Sequence, residues 1–292
     1  MYYFLSLLTG FLIAIMVVIN GRLAEVCGSM GSTVTVHFVG LALLSAVCLF
    51  GKKKFKLTKK PIWMFLGGVM GVLTTLFNNL SFGRISMTSI MALGLFGQAL
   101  TSLLIDSFGL MGMKKHPIRV SSLCGIAFSA IGIIIMLDDS IGSALVAVMV
   151  SIFAGVTVVL SRTVNSRLSR QTGEIQSALV NYAVGLITAI IASAFFAGNE
   201  LSLIFTNISP DWWVYIGGAM GAAIVLLYNI VVPRVSSFQL SLLTFVAQVF
   251  TGIVIDIVLG SEYSTKTFIG GIVVAAGVAA YMVIERIDKK KA

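Results

Sequence analysis

Apolar segments long enough to cross a membrane recur along the whole chain, and this recurrence limits its fold more than any other feature. A helix that spans a bilayer needs about 20 mostly apolar residues. In this chain of 292 residues, apolar runs separated by glycine, proline and charged residues predict ten such helices. Their expected positions are residues 3–21, 33–50, 62–80, 87–106, 119–137, 143–161, 177–197, 212–232, 237–257 and 266–285. The sequence therefore predicts an all-α membrane protein.

The amino-acid composition indicates the same class of protein. Hydrophobic residues make up 58% of the chain and charged residues 11%, whereas a typical soluble domain has about 25% charged residues. The N-terminal segment MYYFLSLLTGFLIAIMVVI has neither a basic start nor a small-residue cleavage site, so we expect it to form the first span. Cys27, Cys48 and Cys124 are scattered, which argues against a disulfide framework and a metal site. We expect neither a metal nor a cofactor.

The basic residues predict the orientation of the chain in the membrane. Seventeen of the 20 lysines and arginines lie in loops that the ten spans place on one side, including GKKKFKLTKK after span 2, SRTVNSRLSR after span 6 and the C-terminal ERIDKKKA. Arg22, Arg84 and Lys266 lie on the other side. Because basic loops remain in the cytoplasm, we expect a multi-pass protein of a bacterial-type cytoplasmic membrane with both termini cytoplasmic. This distribution explains the net charge of +9 without a nucleic-acid partner.

The two halves of the chain share a repeated sequence. Aligned at an offset of 150, residues 67–106 and 217–256 are identical at 13 of 40 positions. Outside that block the offset is 145, where NGRL at Asn20 matches NSRL at Asn165. We therefore predict two five-helix repeats, residues 1–140 and 141–292. Since five is odd, the second repeat enters the membrane from the opposite face, which is the inverted arrangement of many transporters; the alternative is a duplication that only builds a stable bundle.

Several of these segments resemble a known family. They are NGRL at 20–23, GGVMG at 67–71 and GQALTSLLIDSFG at 97–109, followed by a basic loop and Gly125. The chain resembles the YdcZ family of the drug/metabolite transporter superfamily, in a fused form of two five-span units. The second half departs from the pattern, since it lacks Phe-Gly after Asp256 and has a shorter loop before its last span. The resemblance implies a ten-helix bundle of the drug/metabolite transporter kind and leaves the substrate open.

Polar residues inside the predicted spans are the candidates for substrate binding. Gln98 and Gln248 occupy equivalent positions near the middle of spans 4 and 9. An amide at that depth needs a partner, either on a neighbouring helix or in a water-filled cavity. We expect them to line a substrate site, with interhelical hydrogen bonding as the alternative. The further candidate substrate-binding residues are Thr101, Thr244, Thr251, Asn79, Asn229 and Tyr228.

Two repeated charges predict gates. Arg84 and Asp106 begin and end span 4, and Arg234 and Asp256 do the same for span 9. Each charge opposes the dipole of its own helix, but the inverted repeat would place Arg84 with Asp256 outside and Arg234 with Asp106 inside. We expect these pairs to act as alternating gates. The alternative is four separately solvated charges, since surface ion pairs contribute little.

The residue pattern favours a transporter over an enzyme. The sequence has no nucleophile–base set, no phosphate-binding loop and no metal cluster, and no span has a carboxylate near its midpoint, which argues against simple cation/proton antiport. The leading hypothesis is a secondary transporter of a small polar, neutral or zwitterionic metabolite that works by alternating access. The alternatives are a translocase of a lipid-linked headgroup and a non-transporting membrane scaffold. The expected partners are a small-molecule substrate and the lipid bilayer, with the chain as a monomer or a homodimer.

Overall fold

A computed structural model describes residues 1–51, 60–81, 84–85, 87–116, 119–137, 144–258 and 265–291. Residues 52–59, which include most of the first basic cluster, lie outside the described residues. The described helices are α1 (Tyr2–Phe50), α2 (Gly67–Ser81), α3 (Met87–Phe108), α4 (Val120–Met136), α5 (Leu145–Thr172), α6 (Glu174–Phe196), α7 (Gly198–Thr206), α8 (Gly217–Val231), α9 (Ser237–Val258) and α10 (Thr265–Lys291).

The first helix contains two of the predicted spans. Its 49 residues would extend about 74 Å if straight, which is more than twice the thickness of a hydrocarbon core of about 30 Å. The backbone leaves the helical conformation at Cys27 and Gly28, where Gly28 has φ 76° and ψ 168°. Only glycine adopts such a positive φ without steric cost. The predicted spans 3–21 and 33–50 lie on either side of this break.

The helices have the length and apolarity expected of a membrane protein. Within the described residues, seven helices are long and apolar enough to cross a bilayer, and Gly67–Asn78 and Ser121–Met136 are shorter apolar helices. Large apolar side chains also lie on the surface, for example Phe195 and Phe196, which are 82% and 79% exposed. Such a surface suits lipid rather than water. The prediction of a helical membrane protein is confirmed.

The predicted end of span 6 is wrong. Span 6 was expected to end at residue 161 and to be followed by a basic loop, but α5 continues to Thr172. The segment SRTVNSRLSR contains no proline or glycine, so nothing in it stops a helix. The helix ends before Gly173, whose φ is 97°. The arginines of this segment are therefore helical residues.

The described chain forms two compact units, and each contains parts of both sequence repeats. Unit 1 consists of Met1–Phe11, Leu80–Val159 and Val235–Ala292. In it, α3 packs against α9, and α4 packs along α10. Ser102 on α3 hydrogen-bonds Ser241 on α9 at 2.8 Å, and Asp106 bonds the amide of Ser237. Because the residue number rises on α3 as it falls on α9, these two helices are antiparallel.

Unit 2 consists of Leu12–Asn79 and Leu160–Arg234. Its helices α6 and α8 pack against one another, and α7 lies against α6. Glu200 on α7 accepts a hydrogen bond of 2.7 Å from the amide of Met30, just after the break in α1. A carboxylate at this position satisfies a free amide at the start of the second segment of α1 and complements the helix dipole.

Candidate functional site

Gln98 and Gln248 both lie in unit 1, on the antiparallel helices α3 and α9. Extending the register of the Ser102–Ser241 contact by one turn places Gln98 opposite Phe245, about 4.5 Å along the helix from Gln248. Both side chains are partly exposed, and neither has a hydrogen-bond partner among the described residues. An amide exposed to hydrocarbon without a partner is costly. The described residues supply neither amide with a partner, and a substrate site at these glutamines stays a prediction.

The three threonines near these glutamines differ in exposure. Thr101 is partly buried, and its hydroxyl donates to the carbonyl of Gly97 on its own helix at 2.8 Å. Thr244 is fully buried and donates to the carbonyl of Leu240 at 2.9 Å. Thr251 is partly exposed. Thr101 and Thr251 share the partial exposure of the glutamines, whereas Thr244 is closed off in this structure.

Tyr228 and Asn229 lie in unit 2, where α8 meets α5 and α6. The Arg162 guanidinium lies over the Tyr228 ring, with Cζ 5.6 Å from the ring centroid. Asn229 is 1% exposed, and its Nδ2 donates to the Glu174 carbonyl at 3.0 Å. The Asn229 Oδ1 has no hydrogen-bond partner among the described residues. This region therefore combines a buried cation, an aromatic ring and a buried acceptor.

Asparagine and serine side chains connect α5 to α6 in the same unit. Asn165 Nδ2 donates to Asn181 Oδ1 at 2.8 Å, and Ser177 Oγ donates to the Asn165 carbonyl at 2.7 Å. All three residues are buried. On α5, the Ser166 hydroxyl is also buried and has no hydrogen-bond partner among the described residues.

The gate candidates have separate environments. Asp106 is 3% exposed, so it is not the solvated charge of the alternative prediction. Its carboxylate oxygens accept hydrogen bonds from the amides of Ser237 at 3.1 Å and Phe238 at 2.9 Å. The Asp106 carboxylate therefore interacts unfavourably with the dipole of α3, at whose C-terminus it lies, but favourably with the dipole of α9, whose N-terminus it caps. The interaction with α9 could not be inferred from the position of Asp106 in α3.

For the other three gate candidates, Arg84, Arg234 and Asp256, the structure describes fewer contacts. Arg84 is exposed and lines an open pocket of 510 Å³ with residues 144–147 in unit 1. Arg234 is exposed, and its guanidinium donates to the Ile230 carbonyl on α8. The side chains of Asp256 and of the substrate candidate Asn79 lie outside the described part of the chain. Both predicted gate pairs stay predictions.

Equivalent residues of the two repeats contact one another in unit 2. His37 corresponds to Tyr182 at the offset of 145, and their ring centroids are 5.5 Å apart. A Cβ built on Gly185 would lie 2.3 Å from the His37 ring, and a Cβ on the equivalent Gly40 would lie 2.1 Å from the Tyr182 ring. The His37 ring of the first repeat thus lies over Gly185 of the second, and the Tyr182 ring of the second repeat lies over Gly40 of the first. His37 and Tyr182 pack together here.

Comparison with known proteins identifies the family. The family described as "Putative inner membrane exporter, YdcZ" matches residues 1–135 and 146–280. The chain belongs to the YdcZ family. The two matched segments cover nearly all of this YdcZ chain, as the resemblance of its sequence predicted, and membership supports a membrane transporter. A solved crystal structure is similar over 97% of this chain and 97% of that chain, with a TM-score of 0.71 and 16% identity, which shows the fold alone. No curated protein matches.

The polar residues of α5 are the part of the YdcZ chain that sequence reasoning missed. Arg162 was counted as a basic loop residue that orients the chain, but it is 2% exposed. The offset of 145 carried a signal, because it pairs Arg162 with Val17 and Ser166 with Gly21. A charge where the other repeat has an apolar residue is unexpected for a loop.

Among the described residues, no group of three metal-binding side chains occurs.

Proposed function

We propose that this protein is a secondary transporter that moves a small polar metabolite across the cytoplasmic membrane by alternating access. The proposal rests on the exposure and the hydrogen bonding of the Gln98 and Gln248 side chains. Both amides are partly exposed on apolar helices, have no hydrogen-bond partner among the described residues, and lie at similar levels on antiparallel helices. Amides in that state suit a polar cavity in the membrane. The family's description favours export as the direction.

The proposed architecture is ten spans in two inverted repeats, with both termini in the cytoplasm. The equivalent helices α3 and α9 are antiparallel, as a rotation of about 180° around an axis in the membrane plane requires. Exchanged contacts support a two-fold relation between the repeats, whatever the direction of its axis. In unit 2, Asn20 Oδ1 lies 1.9 Å from a Cβ built on Gly217, and Asn165 Oδ1 lies 2.0 Å from one built on Gly67. These are the same contact with the repeats interchanged.

Alternating access follows from this symmetry. In an inverted repeat the two halves can exchange conformations, which converts an outward-open state into an inward-open state. The proposed substrate is neutral or zwitterionic, because the glutamine site offers amide and hydroxyl groups rather than charges. The repeats at 1–140 and 141–292 are the parts that would exchange roles.

Substitution of the glutamines tests the transport site. Gln98→Ala and Gln248→Ala should each raise the KM for flux in proteoliposomes about 3–10-fold, since each removes a hydrogen bond of about 0.5–1.5 kcal/mol. The melting temperature should not change. Gln171→Ala is the matched control, because Gln171 is exposed at the end of α5. A lower melting temperature with normal flux would instead support an interhelical structural role.

The gates have their own test. Arg84→Asp and Asp256→Arg should each impair flux, and the double charge swap should restore much of it if these charges pair outside. For the inner pair, Arg234→Asp is tested alone, because Asp106 also caps α9; it should impair flux while the melting temperature stays that of the wild type. The gate proposal is wrong if the double variant of the outer pair is as inactive as its worse single variant, or if the single variants transport normally.

A further inference from the structure

The most unusual charge in the described part of the chain is Arg162. Seventeen uncharged residues of α5, Leu145 to Ser161, precede it, and about 15 Å of helix follows it. An arginine that only orients a membrane protein extends its head group to water. Arg170 does this, since it is exposed on the same helix, whereas Arg162 is 2% exposed. Burial of a cation in a spanning helix usually marks a functional site.

The surroundings of Arg162 suit a ligand with an anionic oxygen group. The guanidinium lies over the Tyr228 ring, with Cζ 5.6 Å from the ring centroid, and this cation–π contact positions it. Ser166 lies one helical turn further along the same face of α5. Its hydroxyl is fully buried and has no hydrogen-bond partner among the described residues. A guanidinium fork and a hydroxyl donor together match the geometry of a carboxylate or phosphate.

We propose that Arg162 and Ser166 bind an oxyanion group of the transported molecule, with Tyr228 positioning the guanidinium. The inference rests on the proposed transport function and changes its substrate class, from a neutral or zwitterionic metabolite to one that carries a carboxylate or a phosphate. Arg162 and Ser166 are closed off in this structure, so the transport cycle must open them. The first repeat has Val17 and Gly21 at these positions, so a single oxyanion site is expected in each chain.

The experiment compares probes that differ only in the anionic group. Purified protein is melted with N-acetyl-L-alanine and N-acetyl-L-alaninamide, succinate and succinamide, glycerol 3-phosphate and glycerol, and dihexanoyl phosphatidic acid and dihexanoylglycerol. The same pairs are assayed for flux in proteoliposomes. At least one acidic member should stabilise the protein more than its neutral counterpart. The first three pairs report a free metabolite, and the last reports a lipid headgroup.

The variants assign the preference to the site. Arg162→Gln should weaken binding of the preferred acid about tenfold or more, because a hydrogen bond to a charged group is lost. Arg162→Lys keeps the charge but not the fork, so we expect a loss of about 3–10-fold, and Ser166→Ala should lose about 2–5-fold. Arg170→Gln is the matched control and should bind as the wild type does. If Arg162→Gln fails to fold, the lysine and serine variants and the wild-type preference decide the result.

Each outcome has one interpretation. If no acidic probe is preferred over its neutral counterpart, or if Arg162→Gln binds the preferred acid normally, the oxyanion site is wrong. Continued flux of neutral probes in that case would leave the transport proposal standing. Conversely, if acids stabilise the protein through Arg162 but no probe crosses the vesicle membrane, the transport proposal fails while the oxyanion site stands.

Discussion

Removal of the Asp106 carboxylate should destabilise the contact between α3 and α9. The two carboxylate oxygens accept hydrogen bonds from the first two amides of α9, and the side chain is 3% exposed. Asp106→Ala leaves both buried amides without that acceptor. An unsatisfied buried donor costs about 1–3 kcal/mol, so we expect a loss of about 2–6 kcal/mol for alanine. Asp106→Asn keeps one acceptor oxygen and should lose about 1–3 kcal/mol.

The assay is thermal melting of the purified protein in detergent. At about 2–4 °C per kcal/mol for chains of this size class, Asp106→Ala should melt about 4–24 °C below the wild type. Ser102→Ala calibrates the measurement, because it removes one neutral hydrogen bond in the same contact, to Ser241 at 2.8 Å, and should cost about 1 kcal/mol. If Asp106→Ala melts no lower than Ser102→Ala, the capping argument is refuted.

Two further predictions concern packing and capping in each unit. Gly155→Ala should cost about 1–3 kcal/mol of stability, because its Cβ would lie 2.0 Å from the Gly94 carbonyl oxygen. Gly252→Ala is the control and should be neutral or stabilising, since nothing lies within 4 Å of its Cβ. Equal melting temperatures of the two variants would contradict this prediction. Glu200→Gln should cost about 0.3–1 kcal/mol by weakening the cap on Met30, while Glu25→Gln, in the exposed pair with Arg22, should melt as the wild type does; the reverse order would show that Glu200 is not a cap.

The membrane-spanning elements could be predicted from the sequence because an apolar run of about 20 residues has few alternatives to a spanning helix. The ends of the elements were less predictable. The chain between the first two predicted spans is helical up to a break at Cys27 and Gly28, and the basic segment after span 6 extends α5 to Thr172. The positions of positive charges after an apolar run indicate orientation, but they do not show whether the helix continues through those residues.

The candidate site was predictable only in part. The repeat identified Gln98, Gln248 and Asp106, because a polar residue that occurs at equivalent positions of two apolar segments can be recognised from the sequence alone. The contacts of Asp106 could not be predicted, since its partners begin a helix 131 residues away. The burial of Arg162 was also hidden, because the sequence around it has the composition of a cytoplasmic loop.

The two repeats share the residues of several packing contacts and differ at the proposed oxyanion site. Shared residues make the exchanged packing contacts, such as the two asparagines that lie against glycines of the opposite repeat. A rocking motion between inverted halves needs such contacts to be the same in both directions. A transported metabolite, however, need not have two-fold symmetry, so some of the groups that recognise it can differ between the repeats. Four of the differences in unit 2 give the second repeat a polar or aromatic group that the first lacks at that position: Arg162 replaces Val17, Ser166 replaces Gly21, Asn181 replaces Val36 and Tyr228 replaces Asn78. We therefore expect substrate specificity to follow the second repeat, and exchange of these four side chains for their first-repeat counterparts to alter which probe is bound before it alters the fold.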